Sequence, residues 1–134
     1  MGARARRSGK RNLEPGHFSY EGLDRVLHEK ARLGILTALV TRPQGILFNH
    51  LKDLCALTDG NLSRHIQVLH DAELVDVWKG YQGRRPQTLI CLSARGRREF
   101  VAYLEELERV IRDAKPEVRR AARGLSTPPG WVPA

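Results

Sequence analysis

Cysteine, aromatic side chains, acidic residues and long apolar runs are all scarce in these 134 residues, and each scarcity excludes something. Two cysteines, Cys55 and Cys91, are too few for a disulfide framework and are not spaced as a zinc site. His17, His28, His50, His65 and His70 add no recognisable ligand spacing and read as surface or capping histidines, so no metal and no cofactor is expected. His28-Glu29 opens like the helix of a zinc protease, but Arg32 stands where the second histidine belongs, and the enzyme reading fails with it. No stretch approaches the roughly 18 consecutive apolar residues of a membrane span, and the basic start lacks the apolar segment of a signal peptide. A cytoplasmic protein is expected.

Against 15 acidic side chains stand 23 Lys and Arg, a formal charge of +8 that suits a binder of polyanions. Aromatic residues make up 6% of the chain, which is little for a protein that stacks single-stranded bases. Apolar residues concentrate between Leu23 and Ile111, enough for one small core whose stability borrows from a partner subunit. The sequence thus divides into a flexible basic arm (1–22) with Arg4, Arg6, Arg7, Lys10 and Arg11, one domain (23–115), and an irregular tail (116–134), basic and then proline-rich.

Within the domain, helical spacing from Leu23 to about Thr41 predicts a first helix, stopped by Arg42-Pro43. Asn49 is a plausible cap for a short second helix burying Leu51, Leu54 and Cys55. Thr58 caps a third helix, about 58–72, with Leu62, Ile66 and Leu69 inward and Thr58, Asp59, Gly60, Asn61, Ser63, Arg64 and Gln67 left outward. Residues 74–79 and 88–92 read as strands of a hairpin with a basic tip, and Ser93 caps a last helix. In that helix Phe100, Leu104, Leu107 and Ile111 recur as a narrow seam, which a partner helix would cover. The fold class is therefore α+β, mostly α.

Two helices joined by a tight turn and followed by a hairpin place the exposed face of the second helix where it can enter the major groove of duplex DNA. There Arg64 suits guanine, Asn61 or Gln67 adenine, and Asp59 cytosine, while Gly60 lets the backbone come close. Arg64 is the only Lys or Arg between positions 57 and 73, so grip on phosphates falls to Lys79, Gly83, Arg84 and Arg85 in the hairpin (79–87), to Arg95, Arg97 and Arg98 after it, and to the arm. The competing class is a module of the same shape that binds RNA or another protein.

Three blocks, Leu57-Thr58-Asp59-Gly60-Asn61-Leu62-Ser63, Gly83-Arg84-Arg85-Pro86-Gln87-Thr88 and Leu92-Ser93-Ala94-Arg95-Gly96-Arg97, resemble the recognition helix start, the wing and the opening of the last helix in a known family. That family is the single-domain winged helix-turn-helix regulators of the multiple-antibiotic-resistance and arsenic-repressor groups, and the resemblance covers roughly Leu23 to Ile111. It implies a DNA-binding transcriptional regulator, nucleoid-associated when bound, that acts as a homodimer. The first and last helices would form the dimer, bringing Leu23, Val26 and Leu27 into the seam beside Phe100, Leu104, Leu107 and Ile111. Lys30 departs from the proline common in relatives, and Cys91 from a polar residue. Neither the operator nor a small-molecule effector is legible.

Overall fold

Glu29 decides where the first helix begins. Its backbone is extended (φ −123°, ψ 132°) and its carboxylate accepts the amides of Ala31 and Arg32 at 2.7 and 3.3 Å, so α1 spans Lys30–Val40. The apolar residues that precede it close a separate turn on Asp24, whose carboxylate accepts the amides of Val26 and Leu27. The expected helix from Leu23 is thus split, yet Leu27 is still buried and Leu23 and Val26 still pack on the core. Lys30 occupies the first helical position, one that proline also suits.

The computed structural model describes residues 13–124 and 127–134. After α1 come β1 (Ile46–Leu47), α2 (Phe48–Cys55), α3 (Asp59–Asp71), β2 (Val75–Gln82), β3 (Arg85–Leu92) and α4 (Ala94–Ala121). The strands form one antiparallel sheet in the order β1-β3-β2, so the architecture is α+β and mostly helical. Ile35, Leu36 and Leu39 of α1, Leu51 of α2, and Leu62, Ile66 and Leu69 of α3 meet Ile46, Val75, Ile90 and Leu92 of the sheet in one core.

The second helix corrects the sequence reading at both ends. It starts at Phe48 with Leu47 in the cap position and no side-chain cap, so Asn49 lies inside it. Of its expected inward residues Leu51 is buried and Cys55 half-buried, where burial pushes the thiol pKa up, but Leu54 is exposed. Ala56 then adopts φ 55°, and the amides of Ala56 and Leu57 bond to the carbonyls of Asp53 and Lys52 at 3.2 and 3.0 Å. This is a Schellman turn, with alanine in the left-handed position that usually takes glycine, and it makes the tight link to α3.

The hairpin is longer than the sequence suggests: its strands run to Gln82 and from Arg85, leaving a turn of Gly83 and Arg84. Gly83 has φ +64° and Arg84 does not share the positive φ, as in a type II′ turn that places glycine first. Pro86 lies inside β3 opposite Tyr81, next to the pair Gln82 and Arg85 that closes the turn. Antiparallel pairs alternate between bonded and unbonded, so this proline's missing N–H faces the free edge beyond the reach of β1, which pairs only at Leu89 and Ile90.

Ser93 caps α4 as expected, its hydroxyl accepting the Gly96 amide at 2.8 Å while donating to the Glu73 carbonyl at 2.7 Å. A Cβ on Gly96 would lie 2.0 Å from the Leu74 carbonyl oxygen, so only glycine lets the helix start this close to the chain before β2. The helix runs through Pro116, which has no N–H for the Arg112 carbonyl, and ends at Ala121; residues 116–121 are helical where an irregular tail was expected. Residues 127–134 form no helix or strand.

The last part of the expected arm is docked. The Tyr20 hydroxyl donates to Asp113 at 2.6 Å, His17 Nε2 lies 3.4 Å from the same carboxylate, and the Gly22 amide donates to Glu106 at 3.1 Å. Arg109 bridges the set, 2.9 Å from Glu106 and 5.6 Å from the centre of the Tyr20 ring. Residues 14–22 thus form a strap along the second half of α4.

Candidate nucleic-acid interface

Thr58 holds the start of α3 as its residue type promises: its backbone is extended and its hydroxyl accepts the Asn61 amide at 3.2 Å. With Leu62, Ile66 and Leu69 turned inward, Thr58, Asp59, Gly60, Asn61, Ser63, Arg64 and Gln67 are all exposed. A Cβ added to Gly60 meets no described atom within 4 Å, so packing does not require glycine there although glycine costs about 1 kcal/mol in a helix. Two residues of the face are already engaged. Asp59 pairs with Lys52 of α2 at 2.9 Å, which raises the lysine's pKa, and the Gln67 amide donates to Asp71 at 2.8 Å. Arg64 has no ion pair among the described residues.

The cations separate in the same way. Arg84 and Arg85 are exposed at the hairpin tip, and Arg97 and Arg98 on the first turns of α4, each without an ion pair among the described residues. Lys79 Nζ lies 3.4 Å from the Thr88 hydroxyl. Arg95 is occupied, 2.6 Å from Glu99 and 3.4 Å from Glu73. Arg4, Arg6, Arg7, Lys10 and Arg11 lie outside the described residues. One groove of about 440 Å³ joins the two elements: Ser63, Ile66 and Gln67 of α3 line it together with Val77, Lys79 and Thr88 of the hairpin.

The seam residues do not share one environment. Leu27 and Phe100 lie in the chain's own core, Leu23, Val26 and Leu107 pack against it, and Leu104 and Ile111 are 39% and 50% exposed. The residue that replaces Leu104 on the inward row is Tyr103, stacked on Phe100 and 2.6 Å from His28 Nδ1. Tyr103 has the same helical spacing as its neighbour, and no periodicity separates the two.

Sequence reasoning also missed three side chains near the interface. His65 is buried rather than a surface histidine, and accepts from Arg32 Nε of α1 at 3.4 Å. Trp78 and Tyr81 of β2 are 60% and 77% exposed. Trp78 opposes Leu89, itself paired with Leu47, so these apolar side chains share the sheet face turned from the core. Cys91, on that same face, is half-buried with its sulfur 3.7 Å from the Gln44 carbonyl. Among the described residues no three His, Cys, Asp or Glu side chains cluster as metal ligands, and no helix is long and apolar enough to cross a membrane.

Residues 31–111, the span from α1 into α4, match the winged helix DNA-binding domain. The chain belongs to that family. An uncharacterized protein of Methanocaldococcus jannaschii is 32% identical over 83 residues, which are 62% of this chain and 89% of that protein. The solved structure of a transcriptional regulator homologue from Pyrococcus horikoshii OT3, also 32% identical, covers 67% of this chain and 88% of its own with a TM-score of 0.63. The structure of MarR has the same fold: it is 20% identical, covers 81% of this chain and 82% of its own, and gives a TM-score of 0.59. The resemblance to MarR-like winged helix regulators read from three short blocks therefore holds for the fold. In this winged helix the β2–β3 hairpin is the wing and α3 the second helix of the helix-turn-helix.

Proposed function

We propose that this winged helix protein is a homodimeric, sequence-specific regulator that sets α3 in the major groove of duplex DNA and its wing on the backbone or in the minor groove. The observation that carries the reading is the groove in which Ser63 and Gln67 of the polar face of α3 lie beside Lys79 and Thr88 of the wing. Arg64 and Asn61 are the base readers: both are exposed and neither side chain is bonded to another among the described residues. Asp59 and Gln67 read only after giving up Lys52 and Asp71. Arg84, Arg85, Arg97, Arg98 and the arm supply phosphate contacts, and no reaction is catalysed.

Titrating variants against operator and random duplex at several salt concentrations tests this division. Arg64→Ala and Asn61→Ala each cost about 1–3 kcal/mol on the operator and little on random DNA. Arg84→Ala and Arg85→Ala weaken both duplexes and each flatten the log-log salt slope by about one unit. Equal loss on both duplexes for Arg64 and Asn61 would remove α3 from the groove.

Exposed Trp78 and Tyr81 favour a second reading, in which the wing stacks single-stranded bases. Their separation by three positions along one strand puts them on opposite faces, so they form no common platform. Preference for a single-stranded over a duplex competitor, lost in Trp78→Ala, would support that reading instead.

A further inference from the structure

We propose that the second half of α4 carries a further site for duplex DNA, a stripe of Arg112, Lys115, Arg119 and Arg123 that holds the phosphates of a second duplex segment while α3 and the wing hold the first. The inference rests on the function proposed above for the first segment only. All four cations lie past residue 111, where the match to the winged helix domain ends. They are exposed, and none forms an ion pair among the described residues. Spacings of three, four and four put them on one side of the helix over about 16 Å, at ~1.5 Å per residue. Arg112, Lys115 and Arg119 line one groove of about 610 Å³ together with Ile111, Asp113 and Pro116, so the three share a site. The nearby acids are already engaged: Asp113 takes the Tyr20 hydroxyl and lies 3.4 Å from His17, and Glu117 pairs with Arg120 at 2.6 Å. The helix dipole gives a reason for cations in the last turn, where Arg119 and Arg120 stand, but its effect fades within that turn and does not account for Arg112 or Lys115.

The form of the stripe selects the ligand. A DNA strand carries one charge per ~3.4 Å of axis, so the length of the stripe matches about five phosphates with four cations and no competing acid. A helix that lies on a membrane needs a broad apolar face with large side chains, whereas residues 108–123 contain no aromatic residue and no leucine. Position along α4 makes the site separate from the first. Arg112 stands 18 residues from the start of the helix at Ala94, about 27 Å at ~1.5 Å per residue, or roughly three Debye lengths of ~8 Å at physiological salt. The stripe therefore adds nothing to the field at the base of the wing and acts on its own segment of polyanion. Arg112 and Arg119 lie about 80–100° round the helix from Ile111 at ~3.6 residues per turn, so a partner along the proposed seam leaves both accessible.

A capture assay tests the site with the full chain. Operator duplex fixed to beads and loaded with protein should retain a labelled random duplex from solution. The triple variant Arg112→Ala, Lys115→Ala, Arg119→Ala should keep operator binding and the wild-type circular dichroism melt, lower capture of the second duplex about tenfold, and flatten its log-log salt slope by about 0.9 per lost contact. Lysine at positions 112 and 119 should restore capture, because the contact is made by charge. Capture that is absent in the wild type, or equal in the wild type and the triple alanine variant, overturns the proposal. So does displacement of the second duplex more readily by phosphatidylserine vesicles than by unlabelled duplex, which would make the stripe a membrane surface. Failure of the proposed function reads differently: Arg64→Ala and Asn61→Ala would leave operator preference unchanged, while the triple variant still lost its duplex contacts. Operator preference that depends on Arg64 and Asn61, with capture indifferent to the stripe, would leave the function and remove the second site.

Discussion

The two long amphipathic helices, α3 and α4, are built by the same devices and end in different states. Each begins behind a hydroxyl that accepts the amide three residues on, Thr58 for Asn61 and Ser93 for Gly96. The inward row of α3 is complete within the protomer: Leu62, His65, Ile66 and Leu69 are all buried, and what remains outside is small and polar. In α4 burial ends at Tyr103, and what remains outside alternates apolar side chains with single charges. A polar outer face is content in water, whereas an apolar row is costly to leave wet. The proposed division, reading by α3 and assembly by α4, rests on this difference.

Truncating one leucine on each helix would break or sharpen this contrast. Leu69 is fully buried in α3, so Leu69→Ala costs about 2–5 kcal/mol in urea denaturation whatever the protein concentration. Leu104→Ala leaves the protomer core intact, and its cost fades as the protein is diluted, because it acts through association. Equal, concentration-independent losses would erase the distinction between the helices.

Much of α3 was legible in sequence, since its cap, its inward triplet and its polar face are local properties of residues 58 to 71. The hairpin was legible as two β-branched, apolar runs, but not its full length, because the place of Pro86 inside β3 depends on a free edge that only strand order reveals. On α4, Tyr103 and Leu104 belong to adjacent stripes of equal periodicity, and tertiary contact alone decides which one faces inward. The start of α1 went unseen because Glu29 is not among the usual capping residues. The strap depends on Tyr20 finding Asp113, 93 positions away, which no local pattern announces.

A smaller effect separates the two caps. Thr58→Ala loses one exposed bond and costs about 1 kcal/mol. Ser93→Ala loses the Gly96 amide and also leaves the Glu73 carbonyl without its donor, so it costs roughly 2 kcal/mol. Thermal denaturation of both variants should rank Ser93→Ala as the more damaging. The opposite order would mean that the β2–β3–α4 junction is held by Gly96 packing rather than by the serine.

The smallest effect concerns the strap, and it depends on pH. The Tyr20 hydroxyl bond, with His17 and Arg109 nearby, holds the Asp113 pKa below its ordinary value, while the same bond raises that of Tyr20. A lowered carboxylate pKa stabilises the docked strap fully above the unfolded value of about 3.9, and that contribution is lost as pH falls through the folded value. A raised tyrosine pKa contributes fully below about 10, and its contribution is lost as pH rises through the folded value. The strap is therefore held across the whole neutral range and releases at both extremes. In nuclear magnetic resonance titrations the Tyr20 ring signals should move below about pH 4 in the wild type and stay still in Asp113→Asn, whose amide oxygen still accepts the hydroxyl without titrating. Identical acid titrations in the two proteins would show that something other than Asp113 holds Tyr20, and the flank of α4 assigned to the strap would then be open to a partner as well.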